Sequence, residues 1–246
     1  MIRREDGMLK KFIVVGISAL VFVFAQTLPG MQASQKQAAQ EADRVGKSIQ
    51  VLKEIVELPK PEEALPGVLL NKAEGLALFP GVIKAAYGIG GQYGRGIVVI
   101  KSDKGAWSNP AFIRIIGGSI GWQIGVQKAD IILVFKTRKS IENMASGKIT
   151  LGADISVAAG PIGRQAEAST DLEMEAEIYS YSKSKGLFAG VSIKGASIQI
   201  DKDADSAFYG RGDVTAREIL YGETTKAPAV VEQLKAALAK YSGVKK

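Results

Sequence analysis

Side chains able to carry catalysis are scarce in this chain of 246 residues. It contains no histidine and no cysteine, so neither imidazole nor thiolate can serve as a base, a nucleophile or a metal ligand. A serine–lysine run at residues 182–185 is the only formal candidate for nucleophilic catalysis. The residue types therefore predict no catalytic residue, no enzymatic activity and no cofactor.

Two other patterns resemble ligand sites but have simpler structural explanations. Asp171, Glu173, Glu175 and Glu177 form a row of carboxylates on one face of a predicted strand, near enough to share a cation. Such a row on an outer strand face is usually solvated and protects the sheet from aggregation. The glycines of residues 88–94 match neither the dinucleotide nor the phosphate-loop spacing, so we interpret them as bends in a sheet. We predict neither a metal ion nor a nucleotide at these places.

The distribution of charge is more informative. The chain has 32 basic and 25 acidic side chains, and residues 84–148 hold ten basic residues against three acidic ones. A local positive field attracts anionic lipid headgroups by about 1 kcal/mol per basic residue near the surface. Nucleic acid is disfavoured because aromatic residues interleaved with base-reading side chains are missing. A plain solvated face is the alternative. The candidate headgroup ligands are Lys128, Lys136, Arg138, Lys139, Lys183 and Lys185.

The first 33 residues predict an export signal. Basic residues at positions 3–11 precede an apolar run over residues 12–25, and small residues follow at Ala25, Gly30 and Ala33. An uncleaved anchor is the alternative, but this run is shorter than the roughly 20 apolar residues that span a bilayer. We expect a periplasmic or envelope-associated protein whose mature part, residues 34–246, forms one domain.

Helical periodicity marks both ends of that domain. Apolar residues recur at steps of three and four over residues 34–58, which predicts a helix with one continuous apolar stripe. Its charges are five basic against six acidic residues up to Glu63, so we expect it to dock on a sheet, since an interfacial helix would be basic. Further helices are predicted at residues 66–73, with Leu69 and Leu70 inward, and at residues 139–144, 214–221 and 228–241.

The middle of the chain has the period of two that is typical of half-buried antiparallel strands. The alternation covers residues 148–157, 171–182, 187–193 and 196–200. Residues 131–135 are apolar at every position, which predicts a strand covered on both faces. We predict an α+β fold with a curved or barrel-like antiparallel β-sheet. Its predicted parts are a helical N-terminal part at residues 34–73, a sheet at 75–210 and C-terminal helices at 211–246.

Several segments of the chain resemble one known family, and they occur in the family's order without large gaps. They lie at residues 78–94, 107–112, 125–135, 151–161 and 179–190. This pattern is similar to the SYLF domain family, also called the Ysc84-like actin-binding domain, from about Ala64 to Tyr221. The resemblance places residues 182–185 in a strand and its turn, which disfavours their use as a nucleophile.

The resemblance also implies a class of function. Eukaryotic members of the family bind phosphoinositide membranes, through an N-terminal amphipathic helix, and filamentous actin. Bacterial members are described as lipid-binding proteins. The expectation is an exported, non-enzymatic protein that binds anionic phospholipid at the bacterial envelope. The alternative is a structural or scaffolding protein that binds a protein partner or polymer, as the actin-binding relatives do. A curved sheet could also enclose a lipid chain.

Overall fold

The computed structural model describes residues 28–60, 64–87, 89–120, 125–160, 176–185, 193–222 and 226–243. Most of the predicted export signal, the acidic row at residues 171–175 and most of the predicted strand at 187–193 lie outside these residues. Within the described part, none of the helices has the length and hydropathy needed to cross a bilayer.

Six helices and eight strands make up the described part of the chain. The helices are α1 (Leu28–Val56), α2 (Gly67–Lys72), α3 (Arg138–Ser146), α4 (Lys202–Tyr209), α5 (Ala216–Tyr221) and α6 (Val230–Ser242). The strands are β1 (Gly75–Tyr87), β2 (Ile89–Ile100), β3 (Ala111–Ile120), β4 (Gly125–Phe135), β5 (Lys148–Thr150), β6 (Val157–Ala159), β7 (Ile178–Lys185) and β8 (Ser197–Ile200).

All eight strands belong to one sheet in the order β5-β8-β3-β2-β1-β4-β7-β6. Every pairing is antiparallel except that between β6 and β7, which is parallel. Strand β1 contains a register shift next to Gly81, whose φ of 75° is accessible mainly to glycine. The expectation of an α+β fold with a curved antiparallel sheet and helices at both ends is confirmed, and the parallel pairing of β6 with β7 is its one departure among the described strands.

The sheet carries a hydrophobic core on each of its two faces, and the side chains along its strands alternate between these cores. On β4, Ile131, Leu133 and Phe135 pack in one core, which α3 and α5 cover. Ile132 and Val134 pack in the other core, which α1, α2, α4 and α6 cover. The predicted burial of residues 131–135 on both faces is therefore confirmed.

The predicted N-terminal helix docks on the sheet, as its acidic balance indicated. Val45, Leu52 and Ile55 of α1 are buried in the second core. The short helix α2 buries Leu69 and Leu70, as expected. The C-terminal helix α6 buries Val231, Leu234 and Leu238 at the helical spacing that its sequence predicted.

One expectation about secondary structure is wrong, and one helix was not expected. Residues 148–157 do not form one strand, because Gly152 has a φ of 84° and the Asp154 carboxylate accepts a hydrogen bond from the Thr150 backbone N–H at 2.7 Å. The chain therefore turns between β5 and β6. Helix α4 was not predicted, although Ala204 and Phe208 lie one turn apart and Gly210 ends it in the left-handed conformation.

Candidate functional site

A buried cluster of charges fastens α1 to the sheet. Glu41 and Arg44 of α1 form an ion pair at 2.6 Å, and both side chains are largely buried. Arg95 of β2 donates hydrogen bonds from its Nε and Nη2 atoms to Asp201 Oδ2, at 3.1 and 2.9 Å, and lies 3.4 Å from Glu41. Burial raises the pKa of Glu41 and lowers that of Arg44, while their attraction opposes both shifts. The cluster thus joins α1, β2 and the residue that precedes α4.

Asp205 of α4 adds a third carboxylate beside this cluster. Its Oδ1 atom accepts a hydrogen bond from the Phe112 backbone N–H at 2.7 Å, which ties α4 to β3. The side chain is 1% exposed, and its Oδ2 atom has no hydrogen-bond partner in the described part of the chain. Burial, helped by the nearby carboxylates of Asp201 and Glu41, raises the pKa of Asp205 to about 7. Asp205 is therefore protonated over much of the acidic pH range.

Helix α1 crosses the strands above one row of the sheet. A row here is a set of residues that lie side by side on neighbouring strands and project from the same face. At its middle the helix contacts Arg95 on β2 through Glu41, and near its end Glu54 accepts a hydrogen bond from Lys183 on β7 at 2.9 Å. Asp130 of β4 is paired with Lys183 in the register, so it belongs to the same row. The next row toward the β1–β2 turn lies about 7 Å further along the strands.

That next row carries apolar residues exposed to solvent. In the register, Ile116 pairs with Tyr93, Tyr93 with Ile83, and Ile83 with Lys128. Directly paired residues of antiparallel strands project from the same face, and here the alternation places them on the face that α1 covers. Tyr93 and Ile83 are each 49% exposed and Ile116 is 41% exposed. These three side chains lie on three adjacent strands, and no helix of the described part of the chain covers them.

A second exposed row follows on the same face, and it is made mainly of small residues. Gly118, Gly91, Ala85 and Val126 pair in this order across β3, β2, β1 and β4. Val126 is 78% exposed, the largest value among the large apolar residues of the described chain. An added Cβ atom at Gly118 would meet nothing within 4 Å. The second row is therefore open above the backbone.

We call this surface the α1 groove. Its floor consists of the two rows: Ile116, Tyr93 and Ile83, then Gly118, Gly91, Ala85 and Val126. Its wall is the flank of α1, where Lys47 and Gln50 line a cleft of about 240 Å³ above Lys128 and Asp130. Four of the five exposed large apolar residues of the described chain lie in this groove; the fifth is Tyr221 on α5.

The six predicted headgroup ligands fall into two groups. Lys128, Lys183 and Lys185 lie together at the β4–β7 end of the groove, where Lys128 and Lys185 are direct partners in the register. Lys183 is engaged by Glu54. Lys128 is exposed and forms no ion pair with any residue that the structure describes. The pairing of β4 with β7 makes these three residues neighbours in the backbone of the sheet.

The other three candidates lie at the opposite end of β4, about 25 Å away along the strand. Lys136 has its ammonium 5.9 Å from the centre of the Tyr179 ring. Arg138 is held by Asp103 at 2.7 Å and by Glu74 at 3.1 Å, and Lys139 is exposed on α3. The sequence cluster of residues 136–139 is thus one group in space, but it is separate from the lysines of the groove.

The serine–lysine run lies in a strand, and its Lys183 side chain is engaged in an ion pair. Residues 182–185 belong to β7, and the Lys183 ammonium is occupied by the Glu54 carboxylate. Among the residues that the structure describes, no group of histidine, cysteine, aspartate and glutamate side chains could hold a metal ion.

The exposed apolar residues of the groove were not recognised in the sequence. Ile83, Tyr93 and Ile116 belong to three different strands, and their common row depends on the register shift at Gly81. A shift of one residue moves every side chain of a strand to the other face. The glycine-rich segment around Gly91 was the one visible signal, and it was interpreted as sheet bends.

Comparison with known proteins identifies related sequences. The family model Ysc84, described as "Las17-binding protein actin regulator", matches residues 116–241. SH3 domain-containing YSC84-like protein 1 of Xenopus laevis is 35% identical over 202 residues, which cover 79% of this chain and 60% of that protein. Its human counterpart is 36% identical over 195 residues, covering 79% of this chain and 56% of that protein.

A yeast relative extends the similarity to fungi. LAS seventeen-binding protein 3 of Saccharomyces cerevisiae is 37% identical over 172 residues, which cover 69% of this chain and 37% of that protein. The chain therefore spans less than two thirds of the length of these curated relatives.

Proposed function

Because this chain belongs to the Ysc84 family, the SYLF domain family, we propose that it is a non-catalytic module that binds a protein partner or a protein polymer. The names of its relatives describe binding to another protein and regulation of actin, and say nothing of catalysis. The observation that carries the proposal in this chain is the α1 groove, because exposed contiguous apolar surface marks interaction sites on soluble domains.

The groove has the composition expected of a binding surface. Tyr93 is a large, rigid side chain of the type that dominates binding energy at protein interfaces. It is flanked on the neighbouring strands by Ile83 and Ile116, so an occupant would bury a continuous apolar strip. Buried apolar area contributes about 25 cal/mol per Å².

Replacing the groove's apolar side chains is expected to weaken capture of the partner. In the triple variant Ile83→Thr, Tyr93→Thr, Val126→Thr, binding should weaken by at least about tenfold, because each change removes apolar area and threonine retains the β-branched shape that strands tolerate. The measurement is pull-down from an envelope extract at high salt without lipid. It is followed by titration with the recovered protein.

Tyr221→Thr is the matched control. Tyr221 is 38% exposed but lies on α5, outside the groove, so the same kind of change should leave capture intact. If the triple variant still captures the partner, the binding site lies elsewhere on the domain. Absence of any salt-resistant, lipid-independent partner would contradict the proposed function itself.

A second candidate function is binding of anionic phospholipid by an exported form of the chain. It is supported by the predicted export signal and by the position of Lys128 opposite Lys185 at the end of the groove. Two adjacent basic residues on one face add their attractions to an anionic surface. Under this hypothesis the lysines of β4 and β7, with Lys136 and Lys139, contact headgroups.

The lipid hypothesis is tested by charge reversal at exposed lysines. Lys128→Glu with Lys139→Glu should weaken co-sedimentation with phosphatidylglycerol vesicles by at least about fivefold, whereas Lys36→Glu with Lys53→Glu should have a smaller effect. Arg44 and Arg138 are unsuitable for this comparison, because both are engaged in ion pairs that support the fold. Equal losses in both double variants would contradict this placement of the membrane surface.

A further inference from the structure

We infer that the α1 groove accepts one amphipathic α-helix of a partner protein, lying beside α1 with carboxylate side chains at the Lys128 end. This inference rests on the proposed function and specifies its partner at the same surface. It follows from the shape of the groove, from the sizes of the floor residues and from the distribution of charge.

The shape of the groove matches a helix. An α-helix with side chains is about 10 Å in diameter, and helices pack side by side with axes about 8–10 Å apart. Helix α1 lies above the row of Arg95, Asp130 and Lys183. The two exposed rows lie about 7 and 14 Å further along the strands. A second helix parallel to α1 would therefore rest on these two rows.

The length of the floor also fits. The row that starts at Ile116 and ends at Lys128 crosses four strands, and Lys185 extends it to a fifth. With strands spaced about 4.8 Å apart, the row is about 20 Å long. A helix covers that length with three to four turns, which is the usual length of helical recognition segments.

The floor alternates large and small residues in the manner of a helix-packing surface. Ile83, Tyr93 and Ile116 form a ridge, while Gly91 and Gly118 in the second row leave the backbone open. Side chains of an occupant at spacings of three and four residues could enter the space above these glycines. Val126 closes the second row on β4.

The charges favour carboxylates on the occupant. Lys128 is exposed, and Lys185 is its direct register partner. The acidic residues nearby are already engaged, since Glu54 binds Lys183, Asp43 binds Lys47, and Asp130 accepts the Gly81 backbone N–H. The positive charge at this end of the groove is therefore available to a partner. Attraction of carboxylates to this end would fix the direction in which the partner's helix lies in the groove.

A flat membrane fits this surface less well than a helix. Helix α1 stands about one helix diameter above the floor, so a planar bilayer that rests on α1 does not reach Tyr93 or Ile83. Residues that insert into membranes protrude from the surface, whereas these lie in a recess next to α1. A second copy of the chain that occupied the groove would bring its own Lys128 close to the first one, and the two positive charges would repel each other. Otherwise it would leave both lysines outside the contact.

The test is selection of 20-residue peptides from a displayed random library on the full chain, with counter-selection on the variant Tyr93→Thr, Ile83→Thr. The expected result is enrichment of peptides with apolar residues at i, i+3, i+4 and i+7 and with Asp or Glu beside that stripe. Their affinity should fall at least tenfold in the counter-selection variant and about threefold to tenfold in Lys128→Glu. Lys139→Glu and Tyr221→Thr should leave it unchanged.

Other outcomes would overturn this inference. They are enrichment of extended, proline-rich or basic peptides, no enrichment over the variant, and equal binding to Lys128→Glu. Loss of phosphatidylglycerol vesicle binding in Tyr93→Thr, Ile83→Thr would assign the groove to a membrane, and loss of self-association would assign it to a second copy. If pull-down recovers a partner that is insensitive to these changes, the helix inference fails while the proposed function stands.

Discussion

Replacing Arg44 with methionine is expected to lower the free energy of unfolding by about 3–5 kcal/mol, because it leaves the buried Glu41 carboxylate without its closest counter-charge. Glu41 is 1% exposed and lies 2.6 Å from Arg44. The remaining cation, Arg95, is 3.4 Å away and is already engaged by Asp201. Urea denaturation of the full chain measures the loss.

Charge, and not side-chain volume, is expected to cause this loss. The double variant Glu41→Gln, Arg44→Met removes both members of the pair, so it should recover at least half of the lost stability. Arg44 also lies over the Phe112 ring at 5.3 Å, and methionine keeps an apolar contact there. A double variant as unstable as the single one would show that packing, not the unpaired carboxylate, dominates.

An exposed pair on the same helix supplies the control. Lys47 and Asp43 are about 60% exposed, and their ion pair faces solvent. Lys47→Met should change stability by less than about 1 kcal/mol, since exposed pairs contribute little. A loss below 1 kcal/mol for Arg44→Met would contradict the idea that this cluster fastens α1. Because α1 forms the wall of the groove, Arg44→Met should also weaken peptide binding.

The sequence was sufficient for those parts of the fold that depend on local periodicity. The apolar stripe that contains Val45 and Leu52 predicted a docked helix, and the unbroken apolar residues 131–135 predicted a strand buried on both faces. In each case the burial of an element can be predicted from its own residues, because the spacing of apolar residues repeats within a few helical turns or along one strand. The α+β class followed from these elements.

The charge cluster and the groove could not be predicted, because they depend on distant residues. Arg95 meets Asp201 across 106 positions of the chain. The row from Ile116 to Lys128 requires three strand registers and the shift at Gly81. Helix α4 was missed for a related reason, since its buried residue Asp205 is polar and its environment is provided by β3.

The proximity of lysines was predicted only in part. Lys136, Arg138 and Lys139 are neighbours in sequence and remain neighbours in the structure. Lys128 and Lys185 are 57 positions apart, and the pairing of β4 with β7 places them opposite each other. Whether these residues contact lipid stays a prediction.

The second large effect is expected at Asp205, where an isosteric change should stabilise the protein at alkaline pH. Folding raises the pKa of this carboxyl to about 7, whereas an aspartate in an unfolded chain titrates near pH 4. Between these two values the folded chain binds the additional proton, so the free energy of unfolding falls as pH rises through this window. The stabilisation is complete below about pH 4 and lost above about pH 7.

Asp205→Asn removes this dependence, because the amide stays neutral while its oxygen can still accept the Phe112 N–H. At pH 8 the variant should be more stable than the wild type by about 2–4 kcal/mol, since one pKa unit corresponds to about 1.4 kcal/mol. At pH 4 the two should agree closely. The measurement is urea denaturation of both proteins from pH 4 to pH 8.5.

The control for this prediction is the neighbouring residue Asp203, which is exposed on the same helix. Asp203→Asn should leave the slope of stability against pH as in the wild type, because this change leaves the buried carboxyl of Asp205 in place. Asp205→Ala should destabilise at both pH values, because the Phe112 N–H then loses its buried acceptor. If Asp205→Asn is less stable than the wild type at pH 8, the carboxylate is satisfied in its charged form. The cluster of Glu41, Asp201 and Asp205 would then hold α1 and α4 by charge alone, without a buried proton.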